Sequence, residues 1–198
     1  MIKTIRESLL DYTRRELPLK LPEAAVLMPF TDQPEPELIL TVRTNHMPTH
    51  GGEVAFPGGK RDIRDPDLLA TALRESEEEV GIRPDQVTVL GELSSLPSRF
   101  GMKVTPFVGV VPPDIQLVGD PGEIAKIFRV PLSFFLEQTP DLSDPFDFYG
   151  KRMCIPSYYY QGNRIWGLTA FMICDLVNHV FDAGVEFELS PVDKEWPE

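Results

Sequence analysis

Cysteine, histidine and basic charge are all scarce in this chain of 198 residues: two Cys, three His, and 19 Lys plus Arg. Cys154 and Cys174 give neither a disulfide framework nor a metal-ligand spacing, and each lies in an apolar run, so reduced, buried thiols are expected. The 31 acidic residues outweigh the basic ones and set the formal net charge at −12. A chain of that sign has no general basic face for nucleic acid or an anionic membrane, and neither is an expected partner. A phosphorylated small molecule is not excluded, because bound cations invert the local field. No apolar run reaches the roughly 18 residues that suggest a membrane span. The opening residues, MIKTIRESLL, are charged throughout and lack an apolar signal core. A soluble, cytoplasmic protein is the expectation.

What is present reads as one α/β domain over residues 1–198, long enough for a substantial core. Ile2, Ile5, Leu9, Tyr12 and Leu17 approximate helical spacing and predict a helix over 3–16, ended by Pro18. Residues 23–30 and 37–43 read as a hairpin around TDQPEP, and residues 51–56 as a further extended segment before Pro57. Strands are predicted at 87–93, 104–111 and 152–160, with an apolar run at 124–130 and a short helix opened by Pro131. WGLTAFMICDLVNHVF, from Trp166 to Phe181, predicts a buried helix. The acidic tail, 184–198, alternates weakly and then loses pattern.

The densest chemistry lies in GGKRDIRDPDLLATALRESEEEVGI, residues 58–82. Asp65 as N-cap, Pro66 at the first helical position and Gly81 at the end predict a helix between a Gly-rich turn and Gly81. At 100° per residue, Leu69, Ala72, Leu73, Ser76 and Val80 make a mostly apolar stripe. Glu75, Glu78 and Glu79 share a separate arc of about 100° on the far side, and Glu77 projects elsewhere. Like charges at i,i+3 and i,i+4 repel by about 0.2–0.5 kcal/mol per pair. Oxygen ligands so crowded are what a hard divalent cation needs, although an isolated acidic face is as often merely solvated.

Arg74-Glu75-Ser76-Glu77-Glu78-Glu79-Val80-Gly81-Ile82 resembles the second half of the Nudix hydrolase box, G-x5-E-x7-R-E-U-x-E-E-x-G-U, with Ser76 at an aliphatic position. Gly59 lies one residue further from Arg74 than the box prescribes, and Asp65 or its neighbours stand where its first Glu belongs. Upstream, Leu40-Thr41, Arg43, Gly52 and Phe56-Pro57-Gly58-Gly59 resemble the accessory signature of the coenzyme A (CoA) diphosphatase, or pyrophosphatase, branch. That branch typically carries the same lengthened box. Here Ile39 replaces the first Leu of its signature, Thr44 its Ser/Ala and Pro48 its basic residue. VTPFVGVVPPDI and the stretch from Arg164 to Ala170 also resemble the branch, so the likeness covers roughly residues 22–180.

The resemblance implies a Nudix-type α/β/α sandwich with a mixed sheet, its box region at 59–82. It implies a metal-dependent hydrolase that cuts CoA or a derivative into 3′,5′-ADP and 4′-phosphopantetheine. Glu75, Glu78, Glu79 and the Gly59 carbonyl would hold Mg²⁺ or Mn²⁺, and Arg74 would orient Glu78. Glu123, after GDPG, stands in the context of a further family carboxylate, and deprotonating the attacking water would fall either to it or to a box Glu; a solvated loop acid is the alternative. Arg43 is the best candidate for substrate phosphates. Arg99 and Lys103 flank a loop within reach of a 3′-phosphate, with surface charge equally plausible. His50 and Phe56 belong to the signature, where folding explains them as well as binding does. Trp166 reads as packing before base stacking. A homodimer is compatible with the resemblance, on which the sequence itself is silent. Rival substrates are ADP-ribose, NADH and modified nucleoside triphosphates, and a non-catalytic nucleotide sensor is the rival outside the enzyme class.

Overall fold

The computed structural model describes residues 1–15, 17–45, 51–143, 145–148, 151–186 and 188–191. Pro48, His50 and residues 192–198 of the tail lie outside them. Helix α1 (Ile2–Leu10) precedes strands β1 (Glu23–Thr31), β2 (Glu37–Arg43), β3 (Val54–Ala55) and β4 (Gly58–Lys60). Helix α2 (Leu68–Val80) is followed by β5 (Thr88–Glu92), β6 (Leu96–Pro97), β7 (Lys103–Val111), β8 (Ile124–Pro131) and α3 (Leu132–Glu137). Then come β9 (Asp141–Leu142), β10 (Phe146–Phe148), β11 (Lys151–Met153), β12 (Pro156–Tyr160), β13 (Asn163–Trp166), α4 (Gly167–Phe181) and β14 (Glu188–Pro191).

The main sheet is mixed. β1 and β7 run parallel, from Glu23↔Lys103 to Thr31↔Val111, and the other pairings are antiparallel. β2 pairs with β8 along its whole length, with β3 at Thr41 and Val42, and with β1 at Phe30↔Leu38. Nearer its start, β1 pairs with β4 instead, Ala25 opposite Gly59. The sheet therefore splits, and the Gly58–Lys60 strand lines the split.

Successive residues of β1 serve opposite faces, as the pleat requires. Ala25 and Leu27 join Ile39, Phe107 and the α2 residues Ala72 and Val80 in one cluster. Ala24, Met28 and Phe30 join Leu38, Leu40, Val108, α1 and α4 in the other. With helices on both faces the strands are apolar almost throughout, which is why the sequence shows runs without strict alternation. The fold is an α/β sandwich of helices around a mixed sheet.

Several boundaries differ from those predicted. α1 stops at Leu10 because Tyr12 and Arg15 are drawn into tertiary bonds. Tyr12 Oη donates to Asp175 Oδ2 at 2.7 Å, and the Arg15 N–H donates to Ser94 Oγ at 2.9 Å. α2 is capped by Asp67, which accepts the Ala70 N–H at 2.8 Å, because the Asp65 carboxylate is engaged by Arg74. The glycine turn continues into β4, paired to β1. The strand predicted over 152–160 is two strands, β11 pairing with β10 and β14 and β12 with β9 and β13. Part of the tail, β14, is thus a sheet strand.

Candidate active site

Helix α2 presents its last turn to the split in the sheet. Gly81 ends it in the left-handed region at φ 75°, and its N–H returns to the Glu77 carbonyl at 3.0 Å. The loop after β7 is stitched onto that end. Val118 N–H donates to the Val80 carbonyl at 3.1 Å and Asp120 N–H to the Glu79 carbonyl at 2.9 Å. These bonds satisfy carbonyls that every helix leaves open, and they bring Glu123 beside the box glutamates.

Glu79 corrects the helical wheel. Its arc was expected to face away from the core, but its side chain is 3% exposed. One carboxylate oxygen accepts from Arg43 Nη1 at 2.9 Å and the other from the Gly58 N–H at 3.0 Å. The wheel places three carboxylates on one side of the helix; the β4 strand turns part of that side into interior. Burial pushes the Glu79 carboxyl up to about 7, against the Gly58 N–H and Arg43, and the charge on Glu123 adds to the rise.

Arg43, at the end of β2, also reaches Glu123 Oε2 at 3.3 Å. It therefore joins the accessory signature, the box and the later loop in one cluster. Across the helix, Arg74 Nη1 donates to Glu75 Oε1 and Glu78 Oε2, both at 2.9 Å. Its Nε and Nη2 grip the two oxygens of Asp65, both at 3.0 Å. That fork, with the Asp62 N–H and the Thr71 hydroxyl, holds the Asp65 carboxyl well below the usual carboxylate range. Asp65 was expected to cap the helix, and anchoring Arg74 is the role sequence reasoning missed. Its place at the box's first acidic position was the available signal.

Burial raises the Glu75 carboxyl against Arg74, and Glu78 and Glu123 raise it further. Gly59 lies against this carboxylate: a Cβ there would stand 2.5 Å from Glu75 Cδ. Among the described residues no three His, Cys, Asp or Glu side chains stand arranged to hold a metal ion, and Arg43 and Arg74 take carboxylate oxygens instead. The donor chemistry nevertheless fits Mg²⁺ or Mn²⁺. Carboxylates that raise one another's proton affinity beside a side-chain-free backbone are the hard-oxygen set such ions select.

Arg99 and Lys103 are not brought together. Arg99 Nη2 donates to Glu53 Oε1 at 2.8 Å, and the Glu53 carbonyl accepts the Arg43 N–H at 3.0 Å, so Arg99 stands one strand from Arg43. Lys103 Nζ instead pairs with Glu23 Oε1 at 2.9 Å, which with Arg61 holds the Glu23 carboxyl below its usual range. Phe56 is a core residue, 3% exposed. Trp166 is half-buried, under the guanidinium groups of Arg99 and Arg164. Cys154 and Cys174 are free and buried.

Residues 21–148 match the family described as NUDIX domain. Over 157 residues the chain is 46% identical to the "Uncharacterized Nudix hydrolase NudL" of Photorhabdus laumondii, covering 79% of this chain and 84% of that one. The protein of the same name from Yersinia enterocolitica is 44% identical, over 79% of this chain and 80% of its own. A crystal structure of a MutT/nudix family protein from Enterococcus faecalis superposes with a TM-score of 0.50 at 16% identity, covering 85% of this chain and 66% of that one. The chain belongs to the Nudix hydrolase family. It is a hydrolase of phosphorus-containing anhydrides, from a family that takes small nucleotide derivatives and generally uses divalent metal ions. No helix among the described residues is long and apolar enough to cross a membrane.

Proposed function

We propose that this hydrolase cleaves the diphosphate of CoA or a CoA derivative, in the cytoplasm, giving 3′,5′-ADP and 4′-phosphopantetheine or its acyl form. The observation that carries the reading is the convergence on Glu79. Arg43 and Gly58, both from the stretch that resembles the CoA branch, bond the two oxygens of this one box carboxylate. The signature that suggests the substrate and the box that suggests the chemistry are thereby parts of one site.

Glu75, Glu78, Glu79 and the Gly59 carbonyl would hold Mg²⁺ or Mn²⁺. Such an ion, when bound, screens the diphosphate and makes a water a better nucleophile at neutral pH. Arg74, fixed by Asp65, orients Glu75 and Glu78 through charge-assisted bonds. Glu123, 46% exposed and next to Arg43, has the access to water that a base for the attacking nucleophile needs. Arg43, which bonds Glu79 and Glu123, would balance phosphate charge. Most of the barrier lowering in this chemistry is positioning and charge stabilisation.

Incubation with CoA and Mg²⁺ or Mn²⁺, with products separated chromatographically, tests the reading. Accumulation of both products is expected. Cleavage of ADP-ribose or NADH while CoA stays intact would sink it.

A further inference from the structure

At the start of α4 the guanidinium carbons of Arg164 and Arg99 lie 5.1 and 5.6 Å from the centre of the Trp166 ring. Arg164 is also 5.9 Å over Tyr159, and Arg99 4.8 Å over Phe100. Two like charges held at one indole are not something packing demands, and they stand out in a chain of net charge −12. Arg99 is balanced by Glu53; Arg164 has no ion pair among the described residues.

The cluster is held beside the candidate active site. Trp166 ends β13, opposite Ser157, and is the residue before α4. Thr169 Oγ1 donates to the Val54 carbonyl at 3.0 Å, fixing the first turn of α4 on β3. Val54 pairs with Val42, and Glu53 with Arg43 through the backbone bond already described. Thr169, three residues beyond Trp166, is thus tied one ladder position from Arg43, and Arg99 reaches the same strand through Glu53.

We propose that Trp166, Arg99 and Arg164 form a subsite for the part of a nucleotide substrate beyond its diphosphate: a purine base and a phosphomonoester on its ribose. The inference rests on the CoA reading above and names how that substrate's remote end is held. An indole face stacks a base whatever its edge, and a guanidinium fork pairs with phosphate oxygens. Arg164, without an ion pair among the described residues, is the phosphate contact. Arg99, shared with Glu53, supports the ring.

Calorimetric titration of the purified protein with adenosine 3′,5′-bisphosphate and with 5′-AMP tests this without turnover. The wild type should bind the bisphosphate more tightly, and Arg164→Ala should lose about 10- to 100-fold of that affinity, the size of one charge-assisted contact. Lys3→Ala removes a cation from the exposed face of α1 and should leave the preference intact. Equal or absent binding of the two nucleotides by the wild type, or an undiminished preference in a folded Arg164→Ala, overturns the subsite. CoA turnover is scored separately. A protein that prefers the bisphosphate through Arg164 yet leaves CoA intact keeps the subsite and loses the proposed reaction.

Discussion

A methyl group added at Gly59 and one added at Gly58 should fail in different ways. At Gly59 the three heavy atoms nearest a new Cβ all belong to the Glu75 carboxylate, at 2.5 to 2.8 Å. That carboxylate ends a flexible side chain, so it can retreat by about 1 Å to ordinary contact. Leaving its rotamer costs on the order of 0.5–1.5 kcal/mol, a fall in melting temperature of about 1–6 °C for a protein of this size. A misplacement of about 1 Å in a catalytic constellation costs on the order of 10²-fold in rate. At Gly58 the backbone has φ 152°, and a Cβ would meet the Ala25 carbonyl oxygen at 2.4 Å and Val26 Cα at 2.5 Å. Those atoms belong to β1 and cannot step aside. Backbone strain alone is on the order of 1–3 kcal/mol there, before the clash is added. Thermal melting, Mn²⁺ titration calorimetry and diphosphate hydrolysis together read the contrast. Gly59→Ala should stay folded, bind Mn²⁺ more weakly and turn over about 100-fold more slowly; Gly58→Ala should lose stability first. Wild-type Mn²⁺ affinity and turnover in Gly59→Ala, or a wild-type melting curve for Gly58→Ala, would refute the reasoning.

Glu78 is 60% exposed, so Glu78→Gln should leave the melting temperature nearly unchanged while turnover falls by several powers of ten; near-wild-type turnover would remove Glu78 from the mechanism. Asp65→Ala removes a buried partner of Arg74 together with the Asp62 and Thr71 bonds, and should cost about 3 kcal/mol of stability in urea unfolding. The Asp65 carboxyl is held low in the fold, so its contribution is present above the usual carboxylate range of about pH 4 and lost as pH falls. Acid unfolding of Asp65→Ala should accordingly show a shallower slope than wild type. Burial, offset in part by Tyr158, pushes the Cys174 thiol up to about 11, so iodoacetamide at pH 8 should label Cys174 only after denaturant is added.

The sequence by itself determined what is local. Strand β2 has the bounds read from ELILTVR, and Pro131 and Gly81 punctuate the chain where expected. The grouping of Glu75, Glu78 and Glu79 follows from helical geometry, and the box they resemble is a family feature now matched over residues 21–148. Tertiary structure decided the rest, because each remaining feature joins residues far apart in the chain. Glu79 lies on the predicted side of α2, yet it is buried, held by Gly58 at the start of β4 and by Arg43 at the end of β2. Asp65 looked like a cap until a guanidinium nine residues on claimed it. Arg43 meets Glu79 across 36 residues and Glu123 across 80. Arg99 and Trp166 meet across 67 residues of sequence, with Arg99 held by Glu53 and α4 tied to the neighbouring Val54 by Thr169. A wheel or a motif reports which residue types sit on one side of an element. Which of them lose water, and which cation they face, depends on what the sheet brings to that side.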